Sequence, residues 1–141
     1  MKEIDYIQSL IRKKFAETGS PVSIPLIKPR KGKDSFTATL HKDGIEVDNL
    51  GKQYTFLKWA AFEEAIKLMI RHGGEAIKGY ATSKNKLGDS GLTIDSIEGH
   101  VASVVYGKKL GTSVFRRITP IACILIWVGI CESGRGKLML K

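Results

Sequence analysis

Apolar positions along the chain recur with two periods, and the switches between them mark out the elements. From Lys2 to Glu17, Ile4, Ile7, Leu10, Ile11 and Phe15 fall on one helical stripe. Arg12, Lys13 and Lys14 sit near its end, where cations suit the negative pole of a helix, and Gly19 follows as a stop signal. Pro21–Pro29 is rich in β-forming residues but holds Pro21, Pro25 and Pro29. Proline donates nothing to a ladder, so this segment is expected as an edge strand or an extended arm. Phe36, Ala38 and Leu40 then alternate with Thr37, Thr39 and His41, and Ile45, Val47 and Asn49 alternate with Glu46 and Asp48. The Asp43-Gly44 step between the two runs predicts a β-hairpin over about 36–49, closed by Asn49-Leu50-Gly51.

From about Tyr54 to His72 the period is helical. Leu57, Ala61, Ala65, Leu68 and Met69 form the stripe, Phe56, Trp59 and Phe62 widen it, and Gly73-Gly74 ends it. Residues 74–92 read as a long loop, and irregular loops of that length are uncommon in a compact domain without a function. Thr93 caps an expected helix to about Tyr106, and Thr112 or Ser113 caps a short one through Ile118. Thr119-Pro120 is a further helix start, because proline suits the first helical position. Pro120–Cys131 is apolar on every face, as in a helix surrounded by protein. Lys137–Lys141 reads as a short terminal strand. The expected fold is α+β in a single domain spanning 1–141. An N-terminal helix and a small antiparallel sheet lead into a mainly helical C-terminal half that ends in a short strand.

The N-terminus lacks the apolar run of a signal peptide, and the longest apolar stretch, Ile118–Cys131, falls short of the ~20 residues a bilayer span needs. Cys123 and Cys131 are eight apart, about 12 Å along one helix at ~1.5 Å per residue, too far for a disulfide. They read as two reduced core thiols, and the expected location is the cytoplasm without membrane association.

Charge changes the picture more than composition does. Lys and Arg number 23 against 14 Asp and Glu, a net charge of +9, which favours polyanions as partners. Residues 101–141 carry seven of the basic residues against Glu132 alone. Six of those cations, Lys108, Lys109, Arg116, Arg117, Arg135 and Lys137, lie in turns or at expected helix starts beside Gly, Thr or Ser. Glycine lets backbone amides approach a phosphate, hydroxyls can bond it, and a helix N-terminus adds partial positive charge. The candidate nucleic-acid-binding residues are therefore Arg116 and Arg117, flanked by Lys108, Lys109, Thr112, Ser113, Arg135 and Lys137. The plainer reading is that basic loops keep the protein soluble.

His100–Ile118 could supply a helix-turn-helix-like unit, although Gly107–Thr112 is a long turn and the second helix would be short. A phosphate-cradling loop fails, because Leu138 follows Gly136-Lys137 where Ser or Thr is required and position 131 is Cys. His41, His72 and His100 show no metal-ligand spacing, so neither metal nor cofactor is expected. Glu63 and Glu64 read as outer-face residues of their helix, and Glu98 and His100, two apart, read as pointing to different faces. Asp43, Glu46 and Lys52 only loosely imitate a nuclease set, and no catalytic residues are assigned. Phe36, Tyr54, Phe56 and Trp59 cluster near the hairpin, but aromatics at strand and helix spacing are more often core than base-stacking groups. The expectation is a non-catalytic nucleic-acid-binding protein, with DNA ahead of RNA. The alternatives are a protein-interaction module or homodimer built on the apolar C-terminal helix, and then a small metal-dependent nuclease.

Overall fold

The computed structural model describes residues 2–50 and 55–141, so Gly51, Lys52 and Tyr54 lie outside the described residues. Helix α1 (Lys2–Thr18) buries Ile7, Ile11 and Phe15, the four-residue spacing of one face. Gly19 ends it with φ 102° and a bond from its N–H to the Phe15 carbonyl at 2.7 Å.

Strands β1 (Val22–Arg30), β2 (Lys33–His41), β3 (Gly44–Val47) and β4 (Phe56–Lys58) form an antiparallel sheet in sequence order. The Asp-Gly hairpin forms with Leu40 opposite Ile45 and Ala38 opposite Val47, so Phe36, Ala38, Ile45 and Val47 are buried on one face. β1 is an edge, and its register with β2 shifts between Pro25 and Arg30, where the prolines cannot donate. Helix α2 (Trp59–Arg71) starts later than its periodicity implies, because Phe56–Lys58 pairs with β3 and Leu57 is buried as a strand residue.

The C-terminal half departs furthest from expectation. Strands β5 (Glu75–Ile77), β6 (Cys131–Gly134) and β7 (Lys137–Leu140) form a second antiparallel sheet in the order β5-β7-β6. Local pattern alone leaves residues 75–77 in a loop and Cys131 in a helix. Gly129, at φ 94°, stops helix α4 (Ile118–Val128) short of Cys131, so the two cysteines do not share a helix. Helix α3 (Ile97–Val104) is capped by Ser96, whose Oγ accepts from the Gly99 N–H at 3.1 Å, and not by Thr93.

Residues 105–117, between α3 and α4, contain no helix. The short helix expected after Ser113 is absent, and with it the helix-turn-helix-like arrangement. The loop instead pairs with the 78–96 segment, through Leu87 N–H to the Thr112 carbonyl and Gly111 N–H to the Leu87 carbonyl, both at 2.9 Å. Ala81, Leu87, Leu92, Ala102 and Val114 close a small separate core beneath it, which gives the long loop its own reason to be ordered. In the main core, Ile121–Leu125 of α4 are buried between β1, α1, α2 and β6. Among the described residues, no helix is long and apolar enough to cross a membrane.

Candidate nucleic-acid interface

Glu98 organises the region in which the cations meet. Its backbone N–H donates to the Lys78 carbonyl at 2.9 Å. Its carboxylate accepts from the N–H groups of Arg117, at 2.8 Å, and Ile118, at 3.0 Å. Those are among the first N–H groups of α4, which have no partner within their own helix, so a buried carboxylate does the work of a cap from another element. Glu98 is 2% exposed, and burial pushes its carboxyl up to about 7, against the opposing pull of the two N–H bonds and of Arg117 and Arg116. One residue thus ties the strand-end segment at Lys78 to the basic pair at the start of α4.

Around that tie, Lys78 Nζ donates to Ser133 Oγ at 3.1 Å, and Lys78 N–H donates to the Gly136 carbonyl at 3.0 Å. Arg135, exposed, lies between Ser133 and Gly136 at the tip of the β6–β7 hairpin. Partial burial, and then the charge of Lys28 on β1, hold the Lys78 ammonium below its ordinary value of 10.5. The Arg116 guanidinium lies 5.4 Å from the centroid of the Tyr80 ring. Lys78, Arg116 and Arg135 thus stand on segments tied to one another through Glu98 and the β6–β7 hairpin, and the charge of Lys28 is felt at Lys78. Among the described residues, none of the four takes part in an ion pair; Lys137, also in this hairpin, does, with Glu75 at 2.8 Å.

The candidate residues divide. Arg116 and Arg135 belong to this cluster and are exposed. Arg117 is only 6% exposed, with its guanidinium 3.6 Å from the centroid of the Tyr106 ring. Lys108 and Lys109 are exposed in the turn after α3, together with Thr112, whose Oγ1 donates to the Lys109 carbonyl at 2.6 Å, and Ser113, whose Oγ accepts from Lys86 Nζ at 2.9 Å. These four form a second basic segment that no described contact joins to Lys78. Lys28, Lys78, Tyr80 and Ser133 are not among the residues the sequence puts forward, and Glu98 enters there only as a carboxylate facing away from His100. No local pattern marks them, because each acquires its neighbours from a different strand or loop.

Other expectations change as well. His100 is buried and its Nε2 lies 3.0 Å from Glu64 Oε1, so Glu64 is not an outer-face residue. Burial raises the Glu64 carboxyl, but hydrogen bonds from His100 and Lys67 outweigh that and leave it below its ordinary value. Phe36 and Trp59 are buried, and Phe56 packs edge-on against His41. Among the described residues, no three His, Cys, Asp or Glu side chains are grouped to hold a metal ion. No protein-family model, curated protein or solved structure matches the chain.

Proposed function

We propose that the protein binds nucleic acid, DNA first, through phosphate contacts from Arg116, Arg135, Lys78 and Lys28, with Lys108 and Lys109 as a flanking basic segment. The observation that carries this reading is the double role of Glu98, whose N–H holds Lys78 while its carboxylate holds the start of α4. Lys78 and the start of α4 are thereby held to one element, and Lys78 is bonded in turn to Ser133 and Gly136 of the β6–β7 hairpin. Clustered cations that displace condensed counterions give salt-dependent affinity for a phosphate backbone. Arg117 serves this surface from beneath, by holding the loop that presents Arg116, and does not itself reach a phosphate.

The test is affinity for duplex and single-stranded DNA across a salt series. Replacing Arg116 and Arg135 by alanine is expected to weaken binding and to flatten the salt slope by roughly 0.7 to 0.9 per lost contact. Unchanged affinity and slope would remove the proposal.

A second reading, self-association, has its own observation. An open apolar groove of about 330 Å³ lies between α1, α2 and the C-terminal strand, lined by Ile7, Leu10, Ile130 and Leu140 and edged by the exposed Tyr6 and Ile70. It replaces the ground on which the sequence suggested a dimer, because the apolar helix α4 is enclosed. Light scattering showing a monomer at high concentration would remove it.

A further inference from the structure

We infer that Tyr80 is a base-stacking platform, so that the preferred ligand of the basic cluster is a single strand or an unpaired nucleotide; this rests on the nucleic-acid reading above. Tyr80 is 56% exposed, while Arg116 packs against its ring at 5.4 Å from the centroid and Lys78 stands two residues away. Its backbone is anchored on both sides: Tyr80 N–H donates to the Gly91 carbonyl at 2.8 Å, and Asn85 Nδ2 donates to the Tyr80 carbonyl. Gly79 adopts φ +83°, and a Cβ there would meet Ser96 Oγ at 2.5 Å and Glu98 Cβ at 3.1 Å, so the segment lies tight against the start of α3. An exposed ring on an anchored backbone loses little freedom when it stacks on a planar ligand.

Paired bases inside a duplex have their faces covered by neighbouring pairs. A protein ring stacks most cheaply on an unpaired base, because reaching a paired one means prising a base step apart, and it does so with little regard to which base it is. The guanidinium of Arg116, already against the ring, would stay there or move to the adjoining phosphate. Either arrangement combines a π face with positive charge, the two ingredients of single-strand recognition.

The experiment compares wild type, Tyr80→Ala and Tyr80→Phe for binding to oligo-dT, to an abasic oligodeoxyribose phosphate of equal length, and to a duplex. Wild type and Tyr80→Phe are expected to prefer oligo-dT over the abasic strand by about fivefold or more. Tyr80→Ala is expected to lose that preference while its affinity for the abasic strand and the duplex stays within twofold. Equal loss on all three ligands would make Tyr80 a support for Arg116 and overturn the inference, as would an unchanged preference in Tyr80→Ala. Failure of the wild type to bind any of the three at low salt would overturn the nucleic-acid reading itself, a distinct result.

Discussion

The guanidinium of Arg117 lies 3.6 Å from the centroid of the Tyr106 ring, in a site where the arginine is only 6% exposed. Its sequence neighbour Arg116 is exposed and meets a different ring, Tyr80. Two adjacent arginines thus have opposite duties. A desolvated cation–π contact is worth about 2 kcal/mol. Arg117→Ala should therefore destabilise the fold by about 2 kcal/mol in urea unfolding, and Arg116→Ala by less than about 0.5 kcal/mol. Equal costs would mean that Arg117 is not a structural residue.

Glu98 makes stability depend on pH. With its carboxyl raised to about 7 from an ordinary 4.5, the folded chain holds a proton that the unfolded chain has already released between those values. Stability should fall as pH rises from 4.5 through 7, by about 3 kcal/mol at ~1.4 kcal/mol per pH unit, and level off above. Glu98→Gln should remove this portion of the slope while lowering stability throughout, since one of the two N–H groups it serves loses its acceptor. Urea titrations at pH 5 and 8 check both; an identical decline in wild type and variant would refute the assignment.

Gly99 and Gly136 separate two reasons for glycine. A Cβ at Gly99 would collide with the Thr93 carbonyl, which is backbone and cannot yield cheaply. At Gly136 there is open space but φ is +70°. Gly99→Ala should cost roughly 3 kcal/mol or more, and Gly136→Ala about 1 kcal/mol, the strain of left-handed backbone alone. Thermal denaturation of the two variants orders them; the reverse order would contradict the packing at the start of α3.

Both thiols should be inert in the folded protein. Burial raises the Cys123 thiol and pushes Cys131 up to about 12. Because the thiolate is the reacting form, a thiol reagent at pH 8 should label neither cysteine until denaturant is added, and then both. Mass spectrometry showing rapid native labelling of Cys131 would place it at the surface.

The elements written in local pattern were legible: the α1 stripe, the Asp43-Gly44 hairpin and the prolines of the edge strand β1. The second sheet was not. β5 is three residues long and finds its partner about sixty positions away in β7, and no period or turn signal records such a pairing. The short helix after Ser113 failed for a related reason. Its residues carry adequate caps, but the backbone found better partners in Leu87 and Glu98, both remote in sequence. Charge behaved in the same way. Composition set the sign and the C-terminal bias of the cations, because those need only counting. Which segments meet was decided by tertiary structure: Glu98 tied Lys78 to the start of α4 beside Arg116, Lys78 was bonded to the hairpin that carries Arg135, and Arg117 turned inward. Side chains are placed by the long-range contacts that bury Glu98, and a carboxylate among apolar neighbours has no local signature in the sequence.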